Sequence, residues 1–221
     1  MPIKRTYAQH GDACAAAHSM EILGDRWTYP VLRELMLGPK RFGEIAACVR
    51  GITPAVLTGR LREMERNGLV EHDQLPPPAN VEVYDATPWA RELAPIFEQL
   101  GRWAQRSPTR TVHGCGLTPD ATVQSMLTMA PPRSVDPPLD VDLHLHDARI
   151  GHDGYHYRAH WGDRLTIERT NGRSGAPAGL SADSTTWANA LYLGTGLDEI
   201  ETDGAVEEIR RLVDAFSPAG P

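Results

Sequence analysis

The stretch GITPAVLTGRLREMERNGLVEH, residues 51–72, holds a helix whose two ends can be read directly. Thr53 is a favoured cap residue, Pro54 suits a first helical turn, and Asn67-Gly68 ends the pattern. At 100° per residue, Leu61 and Met64 fall within about 40° of Leu57, which makes an apolar seam. Ala55, Gly59, Arg62 and Arg66 lie on the opposite side, with Thr58 flanking them. Small side chains early and arginines late suit a helix entering a DNA major groove: the first permit close approach, the second reach bases or phosphates. Gly59 costs about 1 kcal/mol against alanine inside a helix, which close approach to a partner would explain. A solvated outer face partly neutralised by Glu63 and Glu65 is the other reading, and the helix alone leaves both open.

Its neighbours add an order. Upstream, ACAAAHSMEILG (13–24), RWTYPVLRELMLG (26–38) and RFGEIAACVRG (41–51) read as three helices. Trp27, Phe42, Leu57 and Leu61 are assigned to the core between them. Downstream, LVEH and VEVYDAT are short strands around DQLPPPAN, whose three prolines make it a loop. TPWARELAPIFEQLGRWAQR (87–106) then repeats Leu93, Ile96, Phe97, Leu100 and Trp103 at helical spacing. Three helices, an arginine-faced helix, strand, loop, strand and a long apolar helix is the order of a winged helix-turn-helix.

The formal net charge of −7 does not oppose nucleic-acid binding, because it is unevenly spread. Residues 1–116 hold 14 Lys+Arg against 13 Asp+Glu, and residues 117–221 hold 8 against 16. Fields fall off within about 8–10 Å in physiological salt, so the local charge decides. The three cysteines lack metal or disulfide-framework spacing. No secretory leader is read at the N-terminus and no run approaches the roughly 20 apolar residues of a membrane span, which predicts a soluble cytoplasmic protein.

Beyond a linker at 109–118 the period changes. A helix over PDATVQSMLTMAP is followed by LDVDLHLH (139–146), YHYRAHW (155–161) and RLTIERT (164–170), each alternating apolar and polar. TTWANALYLG (185–194) and DGAVEEIRRLVDAF (203–216) are helices. The expectation is an α+β chain of two domains. Residues 1–108 form the winged helix-turn-helix, and 119–221 an antiparallel sheet with helices on one face. His144, His146, His156 and His160 fall on the polar face, with no cysteine or glutamate placed as a third ligand, so no metal and no cofactor is expected. No nucleophile, acid–base pair or phosphate loop emerges, so no enzyme is expected.

Cys14 before the first helix, LGDRWT (23–28), VLRELMLGPKRFGEI (31–45), GITPAVLTGRLREMERNGLVEH (51–72) and VEVYDATPWARELAPIFEQLGRWA (81–104) together resemble the HxlR-type, MarR-like bacterial transcriptional regulators. The resemblance covers residues 11–106. It implies a homodimer that binds double-stranded operator DNA and acts as a repressor, with Leu93, Ile96, Phe97, Leu100 and Trp103 at the dimer interface. It places Thr53, Ala55, Thr58, Gly59 and Arg62 in the groove and Lys40 and Arg41 on phosphates. Arg60 and Arg66 are either phosphate contacts or partners of the helix glutamates. It also implies a redox- or electrophile-sensing role for Cys14, a thiol near a helix N-terminus, against which stands simple packing. Two departures concern the wing: Glu71-His72 stand where the family carries an arginine, and DQLPPPAN has no cation.

The second half is similar to sterol-carrier-protein-like domains in the order of its elements. This implies a small hydrophobic effector, with Tyr155, Tyr157, Trp161, Trp187, Leu191 and Tyr192 as pocket lining or, equally, as ordinary core. The function expected is a ligand-responsive transcriptional regulator; the alternative is a carrier of a lipid-like ligand whose front half only dimerises.

Overall fold

The structure, a computed structural model, describes residues 6–111, 115–150 and 152–216. The chain divides into two compact units, Met1–Ala94 and Pro95–Pro221.

In the first unit a single 3-10 turn at Ala8–His10 precedes α1 (Ala15–Leu23), α2 (Thr28–Leu35), α3 (Phe42–Cys48) and α4 (Pro54–Arg66). Thr53 caps α4 by accepting the Val56 N–H at 3.4 Å, with Pro54 as its first residue. Strands β1 (Val70–Gln74) and β2 (Glu82–Ala86) pair antiparallel from Val70↔Ala86 to Gln74↔Glu82, and a short α5 (Pro88–Arg91) follows. Val31, Leu32, Leu35, Ile45, Leu57, Leu61 and Met64 are buried together with Val70, Val83 and Ala86 of the ribbon. Leu57 and Leu61 are therefore core as expected, whereas Trp27 and Phe42 remain half-exposed.

The expected helix at 87–106 is two pieces, α5 and α6 (Ala94–Ala104), and the second compact unit begins within the first turn of α6. The reason is local. Arg102 Nε donates to the Thr128 carbonyl at 2.6 Å, and a Cβ on Gly101 would stand 2.9 Å from Thr128 Cγ2, so α6 lies close against the helix that carries Thr128.

That helix is α7 (Pro119–Met129), capped by Thr118. It is followed by β3 (Leu139–Asp147), β4 (His152–Trp161), β5 (Leu165–Thr170), β6 (Ala178–Asp183), α8 (Ser184–Leu193), β7 (Glu201–Gly204) and α9 (Val206–Phe216). The five strands form one sheet in the order β5-β4-β3-β6-β7. Val141, Leu143 and Leu145, with Tyr157, Ala159 and Trp161 and with Ala178, Leu180 and Ala182, make the buried face, against which α7, α8 and α9 pack. The helices thus cover one face, as the alternation predicts.

The sheet is not wholly antiparallel, which corrects the expected topology: β3 and β6 run parallel, Val141↔Ala178 to His146↔Asp183. The chain leaves β5 and passes β4 and β3 before entering β6. Residues 173–176 of this crossover sit on Asp142, whose carboxylate accepts from Ser174 Oγ–H (2.6 Å) and from the N–H groups of Ser174, Gly175 and Ala176 (3.0–3.2 Å). Burial alone would raise the Asp142 pKa, but these donors outweigh it and hold the carboxyl below its ordinary value. No helix among the described residues is long and apolar enough to cross a membrane.

Candidate nucleic-acid interface and effector cavity

Burial of Leu57, Leu61 and Met64 turns the other side of α4 outward. Thr53, Ala55 and Gly59 are exposed there, Thr58 is half-exposed, and Arg62 and Arg66 are exposed at the C-terminal end. Thr58 Oγ1 donates back to the Pro54 carbonyl at 2.9 Å, which satisfies its hydroxyl within the helix. An added Cβ on Gly59 would meet nothing within 4 Å, so no packing inside the protein requires glycine at this position.

Two of the cations are taken up within the protein. Arg60 is largely covered. It pairs with Asp25 of the α1–α2 turn and with Glu63 at 3.1 Å, so of the two roles left open it takes that of an internal partner. Lys40 is withdrawn from the surface altogether: its Nζ lies 2.8 Å from Glu34 Oε2 with both side chains fully buried. The expected phosphate contact by Lys40 is thereby corrected. A position next to a glycine-proline turn looked exposed, but Lys40 is tied to Tyr84 of β2 by one isolated antiparallel bridge and its side chain is buried in the core. Arg41 stays exposed at the start of α3, where its N–H donates to Glu44 Oε2 at 2.7 Å.

The ribbon carries no compensating positive charge. His72 stacks on Tyr84 at 4.4 Å and lies 3.9 Å from Glu82, and the loop between the strands is held by Gln74 Nε2 donating to Asn80 Oδ1 at 2.9 Å.

The sequence of this first region decides its kinship. The family model described as HxlR-like helix-turn-helix matches residues 22–111. YvaP of Bacillus subtilis (strain 168), an uncharacterized HTH-type transcriptional regulator, is 36% identical over 87 residues, covering 39% of this chain and 80% of that protein. The chain belongs to the HxlR-like helix-turn-helix family of transcriptional regulators. The HTH-type transcriptional regulator YodB of the same organism is 34% identical over 88 residues, 40% of this chain and 79% of its own length. The solved reduced form of YodB from B. subtilis has 32% identity, covering 44% of this chain and 97% of its own, with a TM-score of 0.40. These relatives are regulators rather than enzymes. The HxlR-like match ends before the five-stranded sheet begins.

In the HxlR-like region, α5 and α6 carry the expected dimer positions. Ile96, Leu100 and Trp103 are 51%, 47% and 68% exposed, a half-open apolar stripe at i, i+4 and i+7. Leu93 is half-buried between α5 and α6, and Phe97 is buried. Cys14 is the exposed N-cap residue of α1, its N–H donating to Asp12 Oδ1 at 2.8 Å; Cys48 is buried and Cys115 exposed.

In the second unit, Tyr157, Trp161, Trp187 and Leu191 are buried. Their polar atoms are engaged: Tyr157 O–H donates to Asp120 Oδ1 (2.5 Å), Trp161 Nε1 to the Arg133 carbonyl (3.0 Å) and Trp187 Nε1 to Met126 Sδ (3.4 Å). Tyr155 lies under the Arg169 guanidinium, 4.1 Å from the ring centre. Tyr192 differs, for it lines a cavity of about 350 Å³ between α7 and α8. Ser125, Met129, Ala188, Leu193 and the segment Cys115–Leu117 complete most of its wall. Sequence reading followed aromatic residues and missed these small and aliphatic ones, which carry no signal apart from the two helix faces they share. On the polar face of the sheet His144 stacks on His156 at 4.4 Å and donates from Nε2 to the Asp153 carbonyl at 2.9 Å. Among the described residues no three His, Cys, Asp or Glu side chains converge on a metal position.

Proposed function

We propose that this chain is an effector-responsive, operator-binding repressor that works as a homodimer, with α4 as its recognition helix. The observation that carries the reading is the outward face of α4 in an HxlR-like region: small Ala55, Thr58 and Gly59 in its first turns, then Arg62 and Arg66, with no intramolecular packing that calls for Gly59. Such a face lets the backbone approach base edges while the arginines reach guanine edges or phosphates. Arg41, at the start of the preceding helix, is placed for phosphate. The wing, with His72 stacked on Tyr84 and acidic Asp73 and Glu82 beside it, adds little, so α4 and its flanks supply the grip.

The stripe Ile96, Leu100 and Trp103 is assigned to the dimer seam, which brings two copies of α4 to a two-fold-related site. The sheet order and one-sided helix cover support a sterol-carrier-like reading of the second unit as the effector domain. Cys14 is assigned a sensing role on its exposure at the start of α1.

A gel shift on DNA upstream of the chain's own gene tests the reading. The wild-type chain shifts it at nanomolar to submicromolar concentration, and Thr58→Ala/Arg62→Ala abolishes the shift while retaining the fold. An unchanged shift in that variant removes α4 as the reading element. No shift by the wild type favours the carrier reading, which the cavity beside Tyr192 also supports.

A further inference from the structure

We propose that Arg26 and Arg50, the residues that precede Trp27 and Gly51, hold the DNA phosphate backbone where it passes the start of α4. The proposal rests on the regulator reading above and deepens it, for it names residues outside α4 that supply the grip the wing lacks.

Placement comes from the α1–α2 turn, which is tied to α4 at two points. The Asp25 carboxylate pairs with Arg60 in the second turn of α4 and accepts the Trp27 N–H at 2.8 Å. The Trp27 ring lies against the turn that leads into α4: a Cβ on Gly51 would stand 3.6 Å from Trp27 Cη2, and Gly51 holds a φ of +85° there. Arg26 lies between these two contacts in the chain, so its side chain is brought beside the N-terminal half of α4. Its guanidinium stands 4.6 Å from the centre of the Trp27 ring. Arg50 precedes Gly51 in the α3–α4 turn itself.

Charge separates these two cations from their neighbours. Arg33 and Lys40 are taken by Glu34, Arg60 by Asp25 and Glu63, and Arg91 by Asp85. Arg26 and Arg50 are exposed and have no ion-pair partner among the described residues. Asp25, the acid adjacent to Arg26, is engaged by Arg60, so the charge on Arg26 is not cancelled by its neighbour. A guanidinium over an aromatic ring keeps its charge and its N–H donors. The ring also limits where the group can go, so less freedom is lost when a phosphate arrives. Its planar fork of donors matches two phosphate oxygens. Phosphate contacts of this kind fix the register in which a recognition helix meets base edges. The loop DQLPPPAN has no cation to do so.

The test uses the full chain and two duplexes of equal length, DNA from upstream of the chain's own gene and a scrambled version of it. Affinity is followed by fluorescence anisotropy as sodium chloride rises from about 50 to 200 mM. Arg26→Ala and Arg50→Ala are each expected to weaken both duplexes by the same factor, about 3–10-fold, and to lower the slope of log affinity against log salt by about 1. Arg26→Lys keeps that slope with part of the affinity, since an ammonium keeps the charge without the planar fork. Methylphosphonate linkages, each removing one phosphate charge, are scanned singly along the upstream duplex. One position should weaken the wild type and leave Arg26→Ala indifferent. Both alanine variants should melt with the wild type, because their side chains are exposed. Where one does not, the glutamine variant at that position carries the same slope comparison. Slopes unchanged in the charge-removing variants, a slope lowered as far by Arg26→Lys, or no linkage to which Arg26→Ala is indifferent overturns the phosphate assignment and leaves the regulator reading standing. A wild-type chain that binds neither duplex overturns both.

Discussion

Lys40 Nζ lies 2.8 Å from Glu34 Oε2 with neither side chain open to solvent, and the Lys40 backbone exchanges two hydrogen bonds with Tyr84 at 2.8 and 3.0 Å. One residue thus joins α2 to the β1–β2 ribbon. Arg33, itself partly exposed, also pairs with the buried carboxylate, its Nη2 standing 2.8 Å from Glu34 Oε1. A buried pair of this kind contributes little net stability over an apolar pair, yet losing one partner leaves a buried charge. Lys40→Met is expected to destabilise the chain by about 3 kcal/mol or more in urea unfolding, and Glu34→Leu/Lys40→Met to recover most of that loss. If Lys40→Met keeps its stability and instead lowers DNA affinity, the buried assignment is wrong.

Gly59 separates helix stability from DNA contact. Because an added methyl group meets nothing in the protein, Gly59→Ala is expected to raise stability by up to about 1 kcal/mol. On a recognition face the same methyl group obstructs approach, and operator affinity falls about tenfold or more. Arg62→Ala costs a similar factor, about 1–3 kcal/mol if it reads a base. Parallel thermal melts and gel shifts check both; a Gly59→Ala chain that is more stable and binds normally sinks the close-approach argument.

Leu100 and Trp103 are expected to hold two copies together. Leu100→Glu/Trp103→Glu puts two carboxylates on each side of a two-fold seam, and sedimentation equilibrium should find monomer at micromolar concentration. The circular dichroism spectrum should be unchanged, since both side chains are exposed within the chain. A variant that stays dimeric places the interface elsewhere.

Asp142 is expected to anchor the β5–β6 crossover in a pH-dependent way. Its folded pKa lies below the ordinary 3.8, so the stability it contributes is fully present above that value and is lost as pH falls below it. Asp142→Ala strands the N–H groups of Ser174, Gly175 and Ala176 and should cost about 2–3 kcal/mol at pH 7. In urea titrations between pH 6 and pH 3, the variant's stability should fall less steeply than the wild type's. Equal slopes would show that the carboxylate is not what the crossover depends on.

The outward face of α4 was legible because three signals agreed: a Thr-Pro start, an Asn-Gly stop, and an apolar seam at helical period whose burial leaves only one way for Ala55, Gly59 and Arg62 to point. Strands β3 to β5 were legible for the same reason at period two. The parallel strand β6 escaped because Ala178, Gly179, Ser181 and Ala182 have too little side chain to mark an alternation, and β7, Glu201–Gly204, has no apolar residue at all. The fate of each charge was also beyond local reading. Lys40, Arg60 and Arg62 are all cations within the same basic stretch, but the first is folded inward onto Glu34, the second is taken by Asp25 and Glu63, and the third is left to solvent. Periodicity depends only on neighbours along the chain, so the sequence by itself determined the elements and the outward side of α4. Pairing partners and cavities depend on which distant side chains arrive at the same place, so only the tertiary structure decided which cations stay available and that Tyr192 stands beside an open space.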